Sequence, residues 1–335
     1  MKNRTIRIIT TIAAIALGVL LILVLTRLGD KSKGPIEDFL DEAGSTISEA
    51  EYYLLNQENK RKQAMEWTSK YSRDSLRNPS RFLLGAFDNE SESNFRSMMN
   101  LEQSLGTIFP IMHIYTAWGS KPEQKFPSTR IRAISKLGSI PMLTWEPWLD
   151  DFDQTAHPEV GDRETRNKGG LTDISNGLYD FYLDKWIEDL RKSDFPIMIR
   201  WGHEMNDPYR YPWGPQNNKA EEFVKAWRYV WNYFDKNGVD NVLWVWSPHI
   251  AYGWFDAYYP GDQYVDWIGV GALNYGTVAT WSQWWSFDEI FDKPYKKLST
   301  YGKPIMLSEF GSLAVGGDRR EWYEKAVCGM RAEYP

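Results

Sequence analysis

Residues 196–214 read PIMIRWGHEMNDPYRYPWG, and this stretch decides the fold. Pro196–Trp201 is short, mostly apolar and closed by a tryptophan, as a buried strand would be. Directly after it come Gly202, His203, Glu204, Asn206 and Asp207. Polar side chains crowded at a strand end carry a desolvation cost that a purely structural strand end would not incur, so the pattern points to a site. Residues 303–311, KPIMLSEFG, repeat it, with an apolar strand at Pro304–Ser308 and Glu309 just beyond.

Five further strands read in the same way: Phe82–Phe87, Ile108–Tyr115, Ile140–Trp145, Asn241–Trp246 and Trp267–Ala272. Each is followed by a loop rich in Trp, Tyr, Gly, Pro or acidic residues, and helix-patterned stretches lie between them. Strands that alternate with helices are the signature of βα units and a parallel sheet. The expected fold class is α/β, a (β/α)8 TIM barrel over residues 80–335, close to the ~250 residues usual for that fold. Arg319–Tyr334 reads as the seventh helix, and the chain stops at Pro335 where an eighth strand would begin. The barrel is therefore read as cut before its eighth strand.

In such barrels the active site forms at the carboxyl ends of the strands, so residues distant in sequence converge there. The 105 residues from Glu204 to Glu309 leave 35 for each of three βα units, consistent with the roughly 30 that one unit needs. Glu204 then follows the fourth strand and Glu309 the seventh. Glycoside cleavage needs two carboxyl groups with different tasks, one protonated and one ionised, about 5–5.5 Å apart when configuration is retained. The bland reading, a helix-capping or ion-paired glutamate, fits an average glutamate better than one in Gly202-His203-Glu204-Met205-Asn206.

Composition narrows the partners. Aromatic residues make up 15% of the 335, with 17 Trp and 19 Tyr, more indole than core packing usually needs. Flat rings suit the C–H faces of sugars, although a large barrel also buries many. A net charge of −6 without a Lys/Arg stripe lacks the footprint of a nucleic-acid binder, so no nucleic acid is expected. Cys328 is the only cysteine, which excludes an internal disulfide and a cysteine-based zinc site, and the four histidines are scattered. No metal or other cofactor is expected.

Residues Ile8–Thr26 form an uncharged apolar run behind Lys2, Arg4 and Arg7, long enough to match a bilayer core at ~1.5 Å per residue. The run ends at Arg27-Leu28-Gly29-Asp30 with no small-residue cleavage site, which favours an uncleaved transmembrane helix over a signal peptide. Residues 1–29 are expected to be a single-pass anchor in the cell membrane, with the lipid bilayer as partner and the barrel on the extracytoplasmic side. Residues 30–79 are expected to be a polar linker or helical stalk, with Ile47, Ala50, Tyr53 and Leu54 spaced as on one helical face.

Over most of Arg81–Pro335 the sequence resembles family 26 of the glycoside hydrolases, which includes β-mannanases and mixed-linkage β-glucanases. The resemblance rests on IMIRWGHEMNDPYRYPWG at Ile197–Gly214, LWVWSP at Leu243–Pro248, YVDWIGVGALNYG at Tyr264–Gly276 and KPIMLSEFG at Lys303–Gly311. It implies that Glu204 is the general acid/base and Glu309 the nucleophile. It also implies that His203 meets the nucleophile side of the pocket or the sugar, that Tyr275 hydrogen-bonds Glu309, that Arg200 keeps that carboxylate ionised, and that Trp213 is a sugar platform. For His203 a core histidine bonded to backbone is the competing reading.

Trp145, Glu146 and Trp148 at the third strand, and His113, Tyr115 and Trp118 at the second, are candidate sugar contacts that compete with simple packing of the barrel mouth. Trp281, Trp284 and Trp285 could extend the cleft or pack a helix face, and Lys293–Lys297 reads as a solvated helix surface. Two departures from the family pattern bear on substrate: the eighth strand is absent, and Gly271-Ala272-Leu273-Asn274-Tyr275 lacks the acidic residue many mannanases carry before the tyrosine.

The functional expectation is a retaining endo-β-glycanase acting on β-1,4-mannan or mixed-linkage β-glucan. The rivals are a catalytically silent carbohydrate-binding barrel at the cell surface and an accessory of envelope polysaccharide export.

Overall fold

The structure is a computed structural model that describes residues 61, 64–68, 71–87, 95–278 and 283–334. The expected anchor Ile8–Thr26 lies outside these residues, as does most of the expected stalk. Among the described residues no helix is long and apolar enough to cross a membrane. Contacts divide the chain after Leu54, and the body described below is the second unit, Leu55–Pro335.

Seven strands form one sheet in the order β1 to β7: β1 (Gly85–Phe87), β2 (Ile111–Ala117), β3 (Ile140–Glu146), β4 (Ile197–Trp201), β5 (Val242–Trp246), β6 (Trp267–Asn274) and β7 (Ile305–Ser312). Every neighbouring pair is parallel. Helices return the chain between them: α1 (Arg73–Arg77) before β1, then α2 (Arg96–Leu105), α3 (Ser128–Lys136), α4 (Gly170–Ser175), α5 (Asp180–Leu190), α6 (Ala220–Lys236), α7 (Phe255–Tyr258), α8 (Phe287–Leu298) and, after β7, α9 (Arg319–Glu333). The sheet curls. Tyr115 on β2 donates a hydrogen bond to Glu309 on β7 at 3.1 Å although four strands separate them in the sheet.

Strand boundaries follow local chemistry. Pro110 has no N–H to give a ladder, so β2 starts at Ile111 instead of Ile108. The seventh strand corrects the sequence reading, because Glu309 stands inside β7 and not beyond it. Leu307 is opposite Val270 and Glu309 opposite Gly271, so Ser308 is the extra residue of a β-bulge. Pleated alternation would send neighbouring side chains to opposite faces, and a bulge removes that constraint.

The interior has two layers. At the amino ends of the strands Ile111, Ile140, Met142, Met198, Leu243, Val245 and Trp267 pack around Leu76 of α1. Trp267 Nε1 donates to Leu76 O at 2.8 Å, and Arg77 Nε reaches Asp266 Oδ1 at 2.6 Å. Part of the segment expected as a stalk thus closes the bottom of the barrel. Above this apolar floor the interior turns polar, at His113, Thr144, Arg200, Ser308 and Glu309.

On the outer face the strands carry indoles that the helices cover. Trp145 stacks on Trp186 of α5 at 4.1 Å between centroids, and Trp201 on Phe223 of α6 at 5.7 Å. Helix α6 buries Phe223, Ala226, Trp227, Val230 and Phe234, one apolar stripe at helical spacing.

Candidate active site

Arg200 on β4 organises the polar layer. Its side chain is only 1% exposed, and every contact fixes it: Nε donates to Thr144 Oγ1 at 2.7 Å, Nη1 to Ser308 Oγ at 3.0 Å, and Nη2 to Tyr115 OH at 2.7 Å and Glu309 Oε1 at 2.8 Å. Both Ser308 and Glu309 reach one guanidinium, which the β7 bulge permits. Tyr115 also donates to Glu309 Oε1, so that oxygen receives two bonds and the carboxylate plane is held. Beneath it His113 is buried, stacked on Tyr115 at 4.7 Å, and shares a 2.6 Å hydrogen bond with Thr144 Oγ1. Burial, with the Arg200 charge, holds the His113 imidazole well below its ordinary pKa.

Glu204 is placed differently. Gly202 and Glu204 both have φ of 52°, the left-handed region that a glutamate adopts only under strain. The turn is held by Glu204 N donating to Ser247 O at 2.6 Å and Trp213 Nε1 donating to His203 O at 2.8 Å. Buried Asn206 ties the loop after β4 to the loop after β5, donating to His249 O and Gly253 O and accepting from His249 N at 2.7 Å. The strain is thus over-determined by bonds that set the direction of one carboxyl.

That carboxyl is 9% exposed, with Arg210 Nη1 3.3 Å from Oε2 and His249 Nε2 3.9 Å from Oε1. Burial first, and the Glu309 charge second, push its pKa up to about 7, against the pull of Arg210 and Arg200. Gly271 on β6 lies between the two glutamates: a methyl group built there would sit 3.7 Å from Glu204 Oε1 and 3.8 Å from Glu309 Cβ. The two carboxyl groups therefore share one cleft, across a floor with no side chain. Glu309 is the more open of the two, at 26% side-chain exposure.

Other expected residues sort by the face of their strand. Glu146 and half-buried Trp148 reach the mouth, where Trp148 Nε1 donates to Glu146 Oε2 at 3.2 Å and burial raises the Glu146 pKa. His203 is buried against Tyr211, which its Nε2 meets at 2.9 Å, and lies 4.0 Å from Glu146 Oε1. Its imidazole is held well below the usual range by burial and by Arg200. Trp213 is buried under Tyr211, their rings 4.6 Å apart and nearly parallel, so it supports the turn and presents no open face. Trp118 and Trp145 are buried together beneath α5, away from the cleft. Tyr275 follows β6 directly and is exposed.

Of the later candidates, Trp281 lies outside the described residues, Trp284 packs against Gly317, and Trp285 O accepts from Trp322 Nε1 at 2.9 Å. Asn274 is buried and spent on structure, donating to Ser312 Oγ and accepting from Gly276 N.

Sequence reasoning did not single out Thr144, Ser308, Arg210, Tyr211 or His249. Arg210 and Tyr211, six and seven residues beyond Glu204 in a motif already suspected, carried a usable signal. Asp207 and His249 bring ligand atoms within 4.8 Å of one another and of Glu204. Arg210 supplies the cation at that carboxylate, and no metal is assigned there.

A curled parallel sheet with two unequal carboxyl groups at the carboxyl ends of its strands is the class of site that glycosidic cleavage requires. Residues 174–300 match the family model Glycosyl hydrolase family 26. Endoglucanase H of Acetivibrio thermocellus is 31% identical over 253 residues, which is 73% of this chain and 25% of that protein. A mannan endo-1,4-beta-mannosidase of Bacillus subtilis (strain 168) is 24% identical over 157 residues, 44% of this chain and 39% of that one. The chain thus spans well under half the length of these relatives. The solved structure of a Bacillus subtilis mannanase superposes with a TM-score of 0.56 at 20% identity, covering 84% of this chain and 83% of that one, a likeness of fold.

Proposed function

We propose that this protein is a retaining endo-β-glycanase that cleaves a β-linked polysaccharide by double displacement. Glu204 gives its proton to the glycosidic oxygen while Glu309 attacks the anomeric carbon; the carbon–oxygen bond breaks and a glycosyl ester forms on Glu309. Glu204, now a carboxylate, takes a proton from water, and that water attacks the same carbon and frees Glu309. Arg200 and Tyr115 hold Oε1 of Glu309, so Oε2 is assigned the attack. The observation that carries this reading is the inequality of the pair: one glutamate raised to about 7 on a strained turn, the other clamped by a buried arginine.

A β-linked glucan is the preferred substrate, because the relative matched over the larger share of the chain is an endoglucanase. A β-1,4-mannan is the second, from the mannosidases matched over a shorter share. Tyr209 and Trp254, 81% and 66% exposed on the loops after β4 and β5, are the ring faces assigned to a sugar chain. A silent sugar-binding barrel would have no use for the clamp on Glu309 or the strain at Glu204. Reducing-end release from mixed-linkage β-glucan, cellulose and mannan tests the reading, with proton NMR of the first anomer formed. Initial β-anomer is expected; initial α-anomer, or no release from any of the three, would overturn it.

A further inference from the structure

Two arginines touch the carboxyl pair, and they are held in opposite ways. Arg200 is buried and spends its donors on four partners, so it cannot leave without exposing Thr144, Ser308, Tyr115 and Glu309 at once. Arg210 is 51% exposed, meets Glu204 Oε2 at 3.3 Å, and otherwise lies over the Tyr211 ring at 5.9 Å. An ion pair with one half-exposed member is weak and can open. A glycosidic oxygen must come within ~2.6–3.2 Å of the Glu204 carboxyl to receive its proton, and Arg210 already occupies one oxygen of that carboxyl.

We propose that Arg210 is a positioning residue that favours the carboxylate form of Glu204 in the free protein and is displaced when the sugar chain enters, so that substrate binding itself strengthens the hold of Glu204 on its proton. The inference rests on the acid/base role given to Glu204 above. The groups that face Glu204 are Glu309 on β7, Arg200 on β4, Asp207, Arg210 and Tyr211 on its own loop, and His249 and Tyr252 after β5. Glu309 and Asp207 favour the protonated acid, and the two arginines oppose it. Of the two arginines, Arg210 is the one with solvent to move into. A protonated Glu204 no longer attracts a guanidinium, so departure of Arg210 and uptake of the proton reinforce each other.

The test is the pH dependence of Arg210→Gln and Arg210→Lys beside the parent, because kcat/KM reports the free protein and kcat the complex. In the parent the alkaline limb of kcat is expected at higher pH than that of kcat/KM. Arg210→Gln should raise the kcat/KM limb by about half to one pH unit, onto an unmoved kcat limb. Arg210→Lys should stay near the parent. Limbs that move together would show that Arg210 remains on Glu204 in the complex, and limbs that do not move would show that the ion pair is inert. Either result overturns the inference while leaving the catalytic assignment standing. A carbon-13 titration of the Glu204 carboxyl, assigned with Glu204→Gln, reads the same rise in Arg210→Gln without turnover. If the parent cleaves no polysaccharide the assignment itself fails, and an unmoved titration would then sink the ion pair separately.

Discussion

The two glutamates flank Gly271 in one cleft, yet they are built from different materials. Glu309 stands within a strand, and a buried guanidinium and a phenol hold one of its oxygens. Glu204 stands on a left-handed turn outside any strand, walled by burial, with a half-exposed arginine as its cation. The strand seat fixes a carboxyl group in place, and the turn seat buries one beside a looser counter-charge. Division of labour between identical side chains is thus a matter of which backbone carries them and how firmly their counter-charge is tethered.

The contrast breaks first at Glu309. Glu309→Ala removes the proposed attacking atom, and turnover on every substrate should fall by about 10⁴-fold or more. Glu204→Ala should lose about 10²–10⁴-fold on polysaccharide but keep much of its rate on aryl glycosides whose leaving group needs no proton. Added azide sharpens the difference: the Glu204 variant should yield a β-glycosyl azide by attack on the ester, and the Glu309 variant an α-azide by direct displacement. A β-azide from the Glu309 variant would reverse the roles.

A leucine at Gly271 should come next, filling the space between the carboxyls and cutting activity by roughly 10²-fold, as small misplacements in an active site do. Gly271→Ala should cost little, because a methyl there makes only ordinary contacts. Milder still is the effect of pH. Glu204 must hold its proton, so kcat/KM should fall as pH rises through about 7, tenfold per unit above it. A profile flat to pH 9 would deny Glu204 the acid's role. The smallest effect on chemistry belongs to Leu76→Ala in the barrel floor, which should cost about 2–5 kcal/mol of stability in urea and leave kcat per folded molecule unchanged.

Much of this was legible in the sequence, and what was missed has a physical pattern. Strand alternation with helices placed all seven strands within a few residues, because a parallel sheet buried on both faces writes itself as short apolar runs. The two glutamates stood out because each closes such a run. The tryptophans were harder. Indoles at strand ends look alike whether they face the mouth or the helices, and only the parity of each strand sends Trp145 and Trp201 outward while Thr144 and Arg200 point in. The bulge at Ser308 is invisible in a chain read alone, since it exists only in the register of β7 against β6. The clamp partners Thr144 and Ser308 are ordinary hydroxyls until a guanidinium from another strand arrives.

The most direct measurement is to trap the intermediate. A 2-fluoro glycoside with a good leaving group slows release of the ester more than its formation, and digestion with mass spectrometry then finds the labelled residue. A sugar-mass adduct on the peptide that contains Glu309, absent from Glu309→Gln, is the expected result. An adduct on Glu204 or Glu146, or active protein that releases the inverted anomer and never carries label, would contradict the assignment.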